Sequence, residues 1–107
     1  MRFGTYYFLQ APPGSSHEEV IHREFAQILL SEELGYDSVW LTEHHFIEYG
    51  ISTSPMALAA AIAARTERIQ IGLAAVILPF HDPIRLAEEI AFVDILSHGR
   101  LRLGLGR

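Results

Sequence analysis

The chain has no cysteine and no lysine among its 107 residues. Without cysteine there is no disulfide framework and no thiolate zinc or iron–sulfur site. Without lysine, all side-chain positive charge rests on eight arginines against 13 acidic residues, a net charge of −5. An acidic chain without a basic stripe is a poor partner for nucleic acid and for an anionic membrane surface. Long apolar runs are also missing. The longest candidate, Ile69 to Phe80, is broken by Gln70, Gly72 and Pro79, and a membrane span needs roughly 20 apolar residues. Met1 and Arg2 lead into an apolar stretch that ends at Gln10 without a small-residue cleavage pattern, so a cytoplasmic location is expected. Charged residues are too few, at 20%, and hydrophobic ones too many, at 50%, for a disordered chain. The length suits one domain and not two.

What is present alternates between two periodicities. Phe3 to Leu9 is short, aromatic and apolar and ends at the turn Ala11-Pro12-Pro13-Gly14, which predicts a strand. Ser16 with Glu19 matches a capping box. Ile21, Phe25, Ile28 and Leu29 then form a helical stripe that Gly35 terminates. Ser38 to Thr42 predicts a second strand. Ser54-Pro55 opens a second helix, alanine-rich from Met56 to Ala64. Ile69 to Leu78 is a continuous apolar run, the mark of a strand covered on both faces. Asp82-Pro83 opens a third helix with the stripe Leu86, Ile90 and Val93, closed by Gly99, and Leu101 to Leu105 predicts a fourth strand.

The strand starts, at 3, 38, 69 and 101, are 35, 31 and 32 residues apart. Near-constant spacing with helices between indicates successive βαβ units and a parallel sheet. A flavodoxin-like sheet usually has a fifth strand and helices on both faces. Four strands with three helices between them fit the α/β class as the N-terminal half of a (β/α)8 TIM barrel, without an internal domain boundary. Such a half exposes two strand edges and an inward layer, expected here at Val39, Leu41 and Leu73, which invites self-association.

The densest chemistry is Glu43-His44-His45, directly after the second strand, where α/β folds place function. Neighbouring side chains on extended backbone diverge. One histidine, His44, is therefore expected in a cleft as general base or hydrogen-bond partner. The other, His45, is expected to face structure or a partner. With no third imidazole nearby, no metal site is expected. Gly104-Leu105-Gly106-Arg107 has two readings. The glycines admit a ligand that Arg107 binds through an anionic group, or they form a tight turn beside a solvated arginine. Ala74-Ala75 is either core filler or a floor for a flat ring.

Several segments together carry a family resemblance. Ser38-Val39-Trp40-Leu41-Thr42-Glu43-His44-His45-Phe46 resembles the bacterial luciferase family of flavin-dependent monooxygenases. So do Gly72 to Pro79, His81 to Glu88, Ser97 to Gly104 and the opening Met1 to Gly4. The resemblance implies a (β/α)8 barrel that binds reduced FMN, or F420 in some branches, at the carboxyl ends of its strands. It implies oxidation of an aldehyde or similar small molecule with O2, flavin supplied by a separate reductase, and a homo- or heterodimer formed through the helices after strands two and three. By the same resemblance His44 matches the catalytic histidine, and Ala74 and Ala75 match a cis-linked pair beside the flavin ring. Arg107 matches a phosphate contact, and Phe46 and Tyr49 line the substrate cavity. The luciferase catalytic subunit has a reactive cysteine where this chain has Gly106, which points to a dark, luciferase-like monooxygenase. A half-barrel alone is expected to be inactive. The alternatives are a non-catalytic partner subunit of a heterodimer and an F420-dependent hydride-transfer enzyme.

Overall fold

A computed structural model describes residues 1–107. Strand β1 (Gly4–Tyr7) leads to helix α1 (His17–Glu33), then β2 (Ser38–Leu41), α2 (Pro55–Ala63), β3 (Gln70–Ile77), a single 3-10 turn at Leu78–Phe80, α3 (Pro83–Leu96) and β4 (Leu101–Gly106). The four strands form one parallel sheet in the order β1-β2-β3-β4. This is the first half of a TIM-barrel-like fold, as the spacing predicts, with every strand carboxyl end on one side.

The helix ends follow local chemistry, with two departures. Gly35 and Gly99 hold φ of +88° and +77° just past α1 and α3, a conformation that glycine adopts without a Cβ clash. Asp82 caps α3, its Oδ1 accepting from the Ile84 and Arg85 amides at 3.0 Å each. Ser16 does not make the expected capping box, since no hydrogen bond joins its side chain to the first turn of α1. Helix α1 is also rotated from the expected stripe. Val20 and Ile28 are the fully buried pair, Phe25 packs beside them, and Ile21 is exposed.

The sheet corrects the expected inward layer. Val39, Leu41, Ile71 and Leu73 have no exposed surface and share one core with Ile28, Ala59, Ile62, Leu86 and Val93 from all three helices. They therefore face the helices. Because side chains alternate along a strand, the other face belongs to Tyr6, Trp40 and Gly72, aligned in one row across β1, β2 and β3. The Trp40 indole covers Gly72 so closely that a Cβ there would overlap the ring, and its Nε1 donates to Ser38 Oγ at 3.0 Å. The alternation along β2 separates Val39 and Leu41 from Trp40 without saying which face meets the helices, and the continuous apolar run of β3 carries no alternation at all.

Candidate active site

Strand β2 ends at Leu41 and the chain runs irregularly to Ser54. This loop is fastened at both sides. The Ala11 amide donates to the Tyr49 carbonyl and the Ile51 amide to the Leu9 carbonyl, both at 3.1 Å, around an isolated bridge between Gln10 and Gly50. Ser52 Oγ donates to the Thr42 carbonyl at 2.6 Å, and the His44 amide donates to the Ser52 carbonyl at 2.8 Å. These bonds hold the chain around His44 in place.

The His44 ring lies 4.3 Å from the Phe8 ring, centroid to centroid, and the Tyr49 ring stands 5.3 Å from Phe8. Gly50 completes the slot. A Cβ there would come within 2.7 Å of Phe8 Cε1 and 3.1 Å of His44 Cδ2, so a side chain would displace one ring or the other. His44 Nε2 is buried and has no hydrogen-bond partner. An unpaired buried polar atom costs about 1–3 kcal/mol, and such atoms are uncommon in native folds.

His45 points elsewhere. Its Nε2 is 2.7 Å from Glu43 Oε1, and its ring lies 4.4 Å from Phe80. His81 Nε2 meets the same Glu43 oxygen at 2.7 Å, while Glu43 Oε2 accepts from the Ile77 amide at 2.8 Å. Burial pushes the Glu43 carboxyl up. Hydrogen bonds from His45, the Ile77 amide and His81, with the charge of His81, outweigh that effect and hold it below its ordinary value. The two histidines thus divide as sequence reasoning expects, one to a slot and one to structure. The Glu43 side chain is fully buried. His81, Phe8, Gly50 and Ser52 had no part in the expected site. The Glu43 partnership spans 38 residues to His81, and no local pattern signals it.

The remaining expected residues sit at the same end of the sheet. Ala74 and Ala75 are joined by a cis peptide bond and occupy an irregularity in the β3–β4 register between Leu73 and Val76. Both are half-buried. Their neighbours on β4 are glycines. A Cβ on Gly104 would lie 2.6 Å from the Leu73 carbonyl oxygen, and one on Gly106 would lie 3.4 Å from Ala75 Cβ. Gly104 and Gly106 belong to a continuous strand and not to a tight turn. Arg107 follows that strand directly and is exposed.

Phe46 is set apart from Tyr49. It is 95% exposed, at φ +58°, and stands 6.1 Å from the His45 ring and 6.3 Å from Phe80. A non-glycine residue in the left-handed region is uncommon and tends to occur at functional loops. The arrangement fits a flavin: a floor of short side chains for a flat ring, an arginine for a phosphate, and an imidazole nitrogen without a partner. No group of three or more His, Asp or Glu side chains is placed to hold a metal ion, and no helix is long and apolar enough to cross a membrane.

Comparison with known proteins gives the family. The family model described as luciferase-like monooxygenase matches residues 1–107. The alkanal monooxygenase alpha chain of Photorhabdus laumondii is 39% identical over 107 residues, all of this chain and 30% of that protein. Monooxygenase RslO1 of Streptomyces bottropensis superposes with a TM-score of 0.91 at 37% identity, covering all of this chain and 33% of that one. The oxygenating constituent of 3,6-diketocamphane monooxygenase from Pseudomonas putida, solved with FMN, gives a TM-score of 0.93 at 27% identity over 99% of this chain and 29% of its own. The chain thus spans about a third of the length of the proteins it matches.

Proposed function

The chain belongs to the luciferase-like monooxygenase family, and from that premise we propose that it forms the first half of a barrel enzyme that uses reduced FMN and O2 to oxidise an aldehyde or similar small organic substrate. The observation that carries the reading is the buried, unpartnered Nε2 of His44, set at the same sheet end as the short-chain floor of Ala74 and Ala75. In this reading His44 is the general base or hydrogen-bond partner of the reacting group, and its fastened backbone fixes the direction of that nitrogen. Ala74, Ala75 and Arg107 would hold the FMN, the short side chains leaving room for a flat ring and the guanidinium offering a partner to the phosphate. Tyr49 lines the substrate cavity beside Phe8, and Phe46 lines its outer rim. When bound, the reduced flavin supplies the electrons that activate O2. The other flavin contacts and most of the cavity come from the four strands that complete a (β/α)8 barrel.

A separate reductase supplies the reduced flavin, and a second subunit packs on the outer helices. The groove between α2 and α3 supports the latter. It holds about 470 Å3, with Met56, Ala57, Ala60, Phe92 and Val93 forming its apolar part and Arg85, Glu88 and Glu89 its charged rim. Small side chains on α2 allow a neighbouring helix to approach closely.

The test uses the complete enzyme with FMN, a flavin reductase and a series of aldehydes. The expected result is aldehyde-dependent O2 uptake with a stoichiometric acid product. Flavin binding without substrate-dependent product would overturn the monooxygenase assignment. Absence of flavin binding would instead identify a supporting subunit.

A further inference from the structure

Strands β2 and β3 are paired from Ser38↔Gln70 to Leu41↔Leu73 and no further. Above that row β3 bends through Ala74 and Ala75 and continues to Ile77 beside β4. The chain beyond β2 therefore leaves the ladder at the level where the candidate residues begin. One side chain closes this gap. Glu43 sends its carboxylate across it, where Oε2 accepts the Ile77 amide at 2.8 Å and Oε1 meets both His45 and His81 at 2.7 Å. The His81 ring comes from the segment between the 3-10 turn and α3. Glu43 thus binds its own loop, the end of β3 and the turn after it. It is the residue before His44, and Ile77 is two residues beyond Ala75.

We propose that Glu43 is a positioning residue: its carboxylate, bridging the split between β2 and β3, fixes His44 relative to the Ala74–Ala75 floor. This rests on the reading of His44 and the floor given above. Three donors from two parts of the chain converge on one carboxylate, with no arginine among them. That geometry defines the distance between two loop ends as a backbone ladder otherwise would. A glutamine in its place keeps the length but presents an N–H₂ where an acceptor is needed, so at least one donor is lost. A displacement of about 1 Å in a reacting group can cost on the order of 100-fold in rate.

The experiment compares Glu43→Gln, Glu43→Asp and His44→Ala in the complete enzyme. Three quantities are read: turnover per bound flavin, FMN affinity, and the nuclear magnetic resonance signals of the His44 ring and the Ile77 amide. Glu43→Gln is expected to lower turnover about 10- to 100-fold. FMN affinity should change less than about threefold, and both the His44 ring and Ile77 amide signals should shift. Glu43→Asp retains the charge and is expected to recover part of the rate. A folded Glu43→Gln enzyme with unchanged turnover and an unmoved His44 ring would overturn the proposal. If that variant does not fold, His81→Ala removes a single donor at the partly exposed rim, and the same readings decide with a smaller effect in the same direction. If His44→Ala keeps full turnover, the catalytic reading of His44 fails. The ring signal in the Glu43 variants still judges the positioning role by itself.

Discussion

The two ends of the sheet differ in how completely their buried side-chain polar atoms are paired. At the amino end of the strands no buried side-chain polar atom lacks a partner. The Arg100 guanidinium donates to the carbonyls of Ala63, Thr66, Ile69 and Ser97 and to Thr66 Oγ1 at 2.7–3.1 Å, with no carboxylate among them. It neutralises the carbonyl ends of α2 and α3, where the helix dipoles favour a cation. At the same end Glu32 accepts the amides of Glu67, Arg68 and Ile69 at 2.7–2.9 Å. At the carboxyl end a buried imidazole nitrogen has no partner, a phenylalanine stands almost wholly exposed at positive φ, and the β2–β3 ladder ends early. In barrels of this type one end serves stability and the other chemistry. Here the buried side-chain atom left without a partner, His44 Nε2, lies at the carboxyl end, although Glu43 beside it is fully paired.

Substitutions at the two ends should therefore separate activity from stability. The largest expected effect is at His44. In the complete enzyme His44→Ala should lower monooxygenase turnover by about 10²- to 10⁴-fold, the usual range for a lost general base. It should leave flavin binding nearly unchanged and stability equal or higher, because it removes an unpaired buried atom. Steady-state turnover with a parallel denaturant titration measures both. Wild-type turnover in the variant would dissolve the functional side of the contrast.

Arg100 is the converse. Arg100→Ala strands several buried carbonyls, each costing about 1–3 kcal/mol. A total loss of at least about 3 kcal/mol is expected, with turnover per folded molecule unaltered. Arg100→Lys should restore only part, since an ammonium cannot span the same acceptors as a planar fork. Urea midpoints decide, and a loss under about 1 kcal/mol would show that water satisfies those carbonyls instead.

The contrast also marks what the sequence could and could not convey. Strand order, helix spans and the glycine ends at Gly35 and Gly99 are local, and the 31- to 35-residue spacing of the strand starts already implies them. The neighbourhood of His44 was legible for the same reason, as polar residues packed directly behind a strand. Contacts that depend on distant pairing were not. Arg100 reads as an ordinary surface arginine until Ala63, Thr66 and Ile69 are brought around it. Glu43 reads as a polar loop residue until His81 and Ile77 arrive. The face of β3 was misjudged because an unbroken apolar run hides the alternation, and only the helix contacts of Ile71 and Leu73 reveal it.

Arg107 sharpens the functional end by a smaller amount. Arg107→Ala should weaken FMN far more than riboflavin, because FMN alone carries the phosphate. A charge-assisted contact is worth roughly 1.5–3 kcal/mol, or about 10- to 100-fold in affinity. Fluorescence titration with both ligands tests it. Equal losses would remove Arg107 from the phosphate site.

The smallest effect is a pH dependence at the structural end. Burial raises the Glu32 carboxyl, but the amides of Ile69, Glu67 and Arg68 and the charge of Arg68 bring it below the ordinary 4.5. A carboxyl lowered in the folded state stabilises the fold above its unfolded value, and that contribution is lost as the pH falls through the lowered one. Glu32→Gln should therefore cost stability at neutral pH, by about 1 kcal/mol after solvent screening of a partly exposed group. The cost should shrink below pH 4.5, where the parent carboxylate also takes up a proton. Glu43 is lowered in the same direction, so the parent curve alone cannot assign the effect to Glu32. The difference between parent and Glu32→Gln, followed by urea denaturation from pH 7 to pH 3, isolates it, since Glu43 is common to both. A difference that stays constant across that range would show that the three amides bind Glu32 without distinguishing its ionised form.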